Sequence, residues 1–238
     1  VQQILPDLFT LGGMGVGRVY LIDDPDGHTL IDASIAPSGP KILKEVARSG
    51  RDPARIRRIL VTHAHPDHVG GLPAVRAATG AQVITSAQEQ PVVEGRAPIA
   101  QPPRESLGPL ARLMLPPPTT LPATPVDRVV ADGELIAEAM GGLVAVHTPG
   151  HAPGHLAFWQ PQRRVLFCGD VIFRLPRIGL PFAAFTVDMD ENRRSVARLA
   201  ALGPELVCFG HGVPLRRDAA ARLRAFAASV APAAGSTA

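Results

Sequence analysis

Apolar and polar positions along the chain follow two rhythms, and the switches between them outline the elements. Short apolar runs at residues 18–23 and 28–32 predict strands, and the intervening Asp24-Pro25-Asp26-Gly27 turn joins them as a hairpin. Across 37–50 the period lengthens. Ile42, Leu43 and Val46 share a helical face, and Gly50 supplies a stop. Residues 56–62 (IRRILVT) return to a strand, 71–79 to a short helix and 81–85 to a strand. Further strand signals lie at 127–131, 143–147, 155–159, 164–168 and 205–209. Helices are predicted at 190–202, with Val196, Leu199 and Leu202 on one face, and at 219–230, after which 231–238 is expected to fray. Helices set between strand-rich stretches predict layered α/β architecture in a single domain over 1–238.

One stretch breaks the pattern. Residues 91–125 hold 10 of the 25 prolines and show no sustained period. They are expected to lack regular structure and to form an insertion or lid near the site, the alternative being a surface excursion. Ile99, Leu107, Leu110, Leu113, Met114 and Leu115 are too many for an idle loop and need a surface to cover.

Composition narrows the class. At 46% hydrophobic and 19% charged, the chain reads as a folded globular protein. No apolar run approaches the ~20 residues of a membrane helix, so no membrane partner is expected. VQQILPDLFTL at the N-terminus lacks the basic and apolar regions of a signal peptide, which reads as cytoplasmic, although a leader removed before Val1 stays open. The formal charge is +3, and 22 of the 24 basic residues are arginines scattered in pairs, so no nucleic-acid surface is expected. Cys168 and Cys208 sit in apolar runs without a CxxC and read as small buried hydrophobes. The expected partner is a small-molecule substrate, with a homodimer also allowed.

The chemistry concentrates in Thr62-His63-Ala64-His65-Pro66-Asp67-His68. His63 and His65 are two apart, so an extended backbone points them to one side. Pro66 then turns the chain, letting Asp67 and His68 approach from another direction. His151, Asp170 and His211 each follow an apolar strand run and a short glycine-containing turn, as His63 follows 59–61. Strand ends gathered at one rim would bring all seven residues together. Glycine before Asp170 and before His211 permits close backbone approach. Imidazole and carboxylate donors without thiolate suit Zn²⁺ first, with Fe²⁺ or Mn²⁺ also compatible.

HAHPDH at 63–68, TPGH at 148–151, GD at 169–170, GHG at 210–212 and LIDAS at 30–34 resemble the signature of the metallo-β-lactamase superfamily. That resemblance implies an αββα sandwich with the site at one edge and two divalent metal ions. His63, His65 and His151 would hold the first ion, Asp67, His68 and His211 the second, and Asp170 would bridge them. Asp67 and Asp170 are then the catalytic carboxylates. Asp32 would orient a ligand histidine, and His155 would stand behind the ligands or face substrate. His28, His147, Tyr20 and Trp159 read as structural. The implied chemistry is hydrolysis of an ester, lactone or thioester by a hydroxide held between the metals. The retained seven residues resemble the glyoxalase II-like and lactonase-like branch. A tyrosine typical of the lactonases is missing from 171–190. Two alternatives accompany this reading: a persulfide dioxygenase-like oxidoreductase using one iron on His63, His151 and Asp170, and a nuclease or phosphodiesterase of the same superfamily.

Overall fold

The computed structural model describes residues 1–231, so the fraying expected at 231–238 lies, beyond Ala231, outside the described residues. The first sheet has seven strands in sequence order: β1 (Gln2–Leu5), β2 (Leu8–Thr10), β3 (Tyr20–Asp24), β4 (Gly27–Ile31), β5 (Ile56–Leu60), β6 (Gln82–Thr85) and β7 (Arg128–Val129). Strands β1 to β4 form an antiparallel meander, and β4 to β7 are parallel. Parallel neighbours need crossovers. Helix α1 (Gly39–Arg48) supplies the first of these. The second comprises α2 (Pro66–Val69) and α3 (Leu72–Thr79). The third holds α4 (Gln90–Val93) and α5 (Pro109–Met114).

The second sheet comprises β8 (Leu135–Ile136), β9 (Leu143–His147), β10 (Leu156–Gln160), β11 (Val165–Gly169) and, returning after a helix, β14 (Leu206–Phe209) beside β11. Between β11 and β14 come a two-strand ribbon, β12 (Phe173–Arg174) with β13 (Ile178–Gly179), and α6 (Met189–Ala201). Helix α7 (Ala219–Val230) follows β14 and packs on α6.

Period-two alternation assigns each strand residue to a layer. Tyr20, Ile22, Ile31, Leu60, Phe158, Phe167 and Cys208 fill the space between the sheets. Leu21, Leu30 and Ile59 point the other way, toward Ile42 and Val46 of α1 and Val75 of α3. Trp159, Leu166 and Val207 face Val196 and Leu199 of α6 and Leu223 of α7. The result is the expected αββα sandwich, with each sheet hydrophobic on both faces because each face meets another layer.

Several expectations change in detail. Strands β1, β2, β8, β12 and β13 went unread because runs of two to four residues carry almost no period. The strand expected over 127–131 shortens to Arg128–Val129. The segment 91–125 is not free of regular structure: α4 runs into it, and α5 and a 3₁₀ turn at Arg104–Ser106 lie within it. Pro91 and Pro109 sit in the first turns of those helices, where a missing N–H costs nothing. Among the described residues no helix is long and apolar enough to cross a membrane.

Candidate metal centre

Strand ends at one rim position the site. In the second sheet β9 and β11 both run antiparallel to β10, and β14 runs parallel to β11, so the chain leaves all three at one edge. His151, Asp170 and His211 follow those exits, as Asp32 and His63 follow β4 and β5 in the first sheet. Two backbone hydrogen bonds join the sheets there: Leu156 N–H donates to the Thr62 carbonyl (2.8 Å), and Arg18 N–H to the Gly210 carbonyl (2.9 Å).

The structure brings all seven predicted residues together. Nitrogens of His63, His65 and His151 form one group, and donor atoms of Asp67, His68 and His211 a second; within each, they lie within 4.8 Å of one another. A third such group, His63, His68 and Asp170, spans the two. Short α2 explains the division. His65 is its extended N-cap residue and Pro66 follows, so the chain turns between the second histidine and Asp67. His65 Nδ1 lies 3.0 Å from His151 Nε2. Asp170 reaches both sides: Oδ1 is 3.3 Å from His68 Nε2, and Oδ2 is 3.6 Å from His151 Nε2 and 3.2 Å from His211 Nε2. His211 Nε2 is also 3.1 Å from Asp67 Oδ2.

The anticipated close approaches occur. A Cβ on Gly210 would sit 2.0 Å from Asp170 Oδ1, and one on Gly169, whose φ is +50°, 2.4 Å from His155 Nε2. Any side chain at either position would push the Asp170 carboxylate or the His155 ring behind it out of place.

Hydrogen bonds at the far side of three rings, His63, His68 and His151, orient them. Asp32 Oδ2 accepts from His68 Nδ1 (2.8 Å). Asp32 also accepts from the Thr62 N–H and hydroxyl, both at 2.8 Å. It holds this geometry with φ +60°, a region that few side chains other than Asp and Asn tolerate. Since the Thr62 hydroxyl proton points at Asp32, its oxygen accepts from His63 Nδ1 at 3.0 Å. Thr186 gives its proton to the Phe182 carbonyl and accepts from His151 Nδ1 at 3.2 Å. His63 and His151 therefore turn an unprotonated Nε2 toward the site, and His68, whose Nε2 holds a proton beside Asp170 while no metal is bound, presents the same atom once that proton leaves, the arrangement expected of metal-binding histidines. Buried Nε2 atoms of His63 and His68 and Oδ1 of Asp170 have no hydrogen-bond partner. Orphaned buried acceptors are costly unless something positive satisfies them, so this donor set fits divalent cations.

His155 stands behind the site, fully buried, and does not face the cavity. Its Nε2 accepts the Asp170 N–H (3.0 Å) while its Nδ1 meets Thr148 Oγ1 (2.8 Å). Burial pulls its pKa down to about 3, in keeping with a neutral acceptor. His28 and His147 lie apart, against Asp23 and the Pro153 carbonyl. Tyr20 donates to the Phe209 carbonyl (2.8 Å), and both cysteines are buried and free.

Three contributors escaped the sequence reading. Thr62 and Thr186 carry no signal beyond their neighbours. Glu89, 3% exposed, accepts from Ala64 N–H and Gly154 N–H, both at 2.8 Å, and so ties the loop bearing His63 and His65 to the loop after His151. Ser86-x-x-Glu89 has the spacing of a helix capping box, which gives a Glu at this position an ordinary local explanation. Here Ser86 Oγ does accept the Glu89 N–H (3.2 Å), but α4 begins only at Gln90 and the Glu89 carboxylate turns to the site loops.

Residues 12–211 match the metallo-beta-lactamase superfamily profile. The chain belongs to that superfamily. It is 28% identical to the probable metallo-hydrolase YflN of Bacillus subtilis (strain 168), over 84% of this chain and 82% of the relative. A hydroxyacylglutathione hydrolase of Fuscovulum blasticum is 31% identical over 85% of this chain but only 61% of its own length. BJP-1, a subclass B3 metallo-beta-lactamase of Bradyrhizobium japonicum, superposes with a TM-score of 0.66 at 28% identity, covering 87% of this chain and 76% of the other. Within this superfamily, the present site opens into a cavity of ≈ 520 Å³ floored by His65, Asp67, His151, Asp170 and His211.

Proposed function

We propose that this superfamily member is a dinuclear metal-dependent hydrolase of ester, lactone or thioester bonds. The observation that carries the reading is the pair of three-residue donor groups sharing Asp170 between them, with buried ring nitrogens left unpartnered. His63, His65 and His151 would hold one ion, Asp67, His68 and His211 the other, and Asp170 would touch both. Zinc suits the imidazole-rich set first. When bound, two such ions supply Lewis acidity that activates water near neutral pH and polarises an acyl oxygen.

The chain's own residues do the rest. Asp170 is buried and held by the His155 ring behind its backbone, so it keeps the two triads in register. Asp67 lines the cavity with a partly exposed carboxylate, placed to take a proton and pass it to a leaving group. Asp32, Thr62 and Thr186 hold the histidine rings. Residues 91–125 belong to the same domain in this reading and form part of the cavity wall. The hydroxyacylglutathione hydrolase likeness supports acyl hydrolysis as the reaction type.

Elemental analysis coupled to assays on lactones, esters, thioesters and phosphodiesters tests this. Two metals per chain and chelator-sensitive acyl hydrolysis are expected. One iron per chain with oxygen uptake, or activity confined to phosphodiesters, overturns it.

A further inference from the structure

The cavity combines a charged floor with walls of the opposite character. One wall comes from the proline-rich segment, where Ile99–Pro102 faces out beside Pro116, Pro117 and Thr119. Ile99 N–H donates to the Thr119 carbonyl (2.9 Å) and Gln101 Nε2 to the Pro116 carbonyl (2.8 Å), so the two strips are held as a pair. The other wall is Phe173, Leu175, Phe182 and Phe185. Phe182 is 55% exposed, Leu175 57% and Phe185 38%, so these large apolar groups meet water at the mouth. Helix α5 packs beside 183–185, which brings the proline-rich segment and the aromatic wall together.

Charge decides what such a cavity can hold. Among the described residues no lysine or arginine lines it; away from the floor, the polar side chains there are the neutral Gln101 and Thr119. Arg104 and Arg177 are exposed and do not line the cavity, and the other three cations of the wall segments are engaged with protein oxygens. Arg112 donates to the carbonyls of Arg104 and Glu105, Arg174 to those of Val213 and Pro214, and Arg96 to Glu94. A substrate with several charges could set at most one against the floor and would have to place the others against proline and phenylalanine without a countercharge, a costly burial. An alkyl or aryl chain gains there instead.

We infer that the cavity takes an uncharged substrate carrying a medium-length aliphatic or aryl chain and rejects acyl donors that carry several charges, glutathione thioesters among them. That the ligand is a substrate rests on the hydrolytic reading above; its chemistry rests on the walls. Ile99, Phe182 and Phe185 are the specificity-determining residues.

The test uses metal-loaded protein and two readouts. In the first, kcat/KM is measured for 4-nitrophenyl esters from acetate to octanoate, γ-lactones from butyrolactone to decalactone, and S-lactoylglutathione. Each methylene that leaves water is expected to raise kcat/KM about fourfold, and S-lactoylglutathione should fall below the neutral esters. Phe182→Arg should flatten the chain-length series, and Phe185→Arg, at a second exposed position, should do the same. In the second readout, calorimetry compares decanamide, acetamide and glutathione. Decanamide alone should bind, and Phe182→Arg should weaken it at least tenfold. Hydrolysis of short esters with a flat length series and no decanamide binding overturns the inference and leaves the hydrolase reading intact. Decanamide binding that Phe182→Arg weakens, without hydrolysis of any acyl substrate, upholds the cavity's chemistry and overturns the hydrolase reading.

Discussion

The two triads at the rim are buried in one site, yet they hold their protons differently. His63, His65 and His151 are all pushed toward the neutral ring, chiefly by burial; His65 falls to about 4. Across the site the carboxylates win. Burial opposes charge on His68 and His211, but Asp170, Asp32 and Asp67 hold the proton on His68 well above the ordinary imidazole range. Asp170 and Asp67 likewise raise His211 to about 9. Burial would raise Asp67, yet His68 and His211 bring it down to about 2. Two carboxylates demand positive charge in a dry place, and without metal, protons supply it. The three-histidine triad is thus already neutral, as metal binding would require, whereas the carboxylate-bearing triad would have to exchange protons for metal.

Removing the shared carboxylate should erase this contrast with the largest effect. Asp170→Ala is expected to reduce turnover by about three orders of magnitude or more and to lower metal content on both sides. Its loss frees His68 and His211 from the carboxylate and leaves two cations without a charge between them. Retention of two metals with near-normal kcat would refute the bridging role. Asp32→Asn should come next, about ten- to a hundredfold in metal affinity or activity. The Asp32 carboxylate accepts from both His68 Nδ1 and the Thr62 N–H, whereas an amide must present N–H₂ to one of them. Equal metal affinity for wild type and variant, measured by chelator competition, would remove Asp32 from that role. Thr186→Val should cost less, about tenfold, because only one uncharged contact to His151 is lost. The loss should appear as weaker metal retention by the three-histidine triad alone.

Legibility followed the same division. The candidate donors that follow the first sheet were legible because HAHPDH sets four of them in six residues, and no helix or strand period explains that spacing. His151, Asp170 and His211 were legible one at a time, each placed by an apolar run and a glycine turn. Layered α/β packing followed from the strand and helix order, whereas the four-layer αββα arrangement came only with the resemblance carried by the histidine and aspartate motifs. What escaped was set by tertiary contact. Thr62, Thr186 and Glu89 act through partners far from them in sequence or through a hydroxyl whose direction only the fold determines. The helices inside 91–125 escaped because proline usually breaks helices, and only its first-turn placement permits them.

Proton release on metal binding tests the contrast directly. At pH 7.5 in matched buffers, the carboxylate-bearing triad should release about two protons on metal uptake, since His68 and His211 begin charged. His211→Ala should lower the count by about one. His151→Ala should leave it nearly unchanged, because that ring begins neutral. Equal reductions from both variants would show that the triads do not differ in charge.

The smallest expected effect is on the stability of the metal-free protein, where the triads should act on opposite sides of neutrality. His211 has a folded pKa of about 9 against an ordinary 6.5, so its pairing with Asp67 and Asp170 stabilises fully below pH 6.5 and is lost as pH rises through 9. His65 is shifted the other way, to about 4, so its contribution is present above pH 6.5 and is lost as pH falls through 4. The melting temperature of chelator-treated protein should therefore peak near pH 6.5 and fall by several degrees on each side, on the order expected for about 1–3 kcal/mol. The limbs should respond separately to mutation: His211→Asn should shrink the alkaline fall, His68 keeping the remainder, and His65→Asn should shrink the acid one, which His63, His151 and Asp67 share. Metal should flatten the alkaline limb in wild type, because the ion replaces the protons that high pH removes. If the alkaline fall in His211→Asn is as large as in wild type, the pairing of His211 with the two carboxylates contributes nothing to stability there.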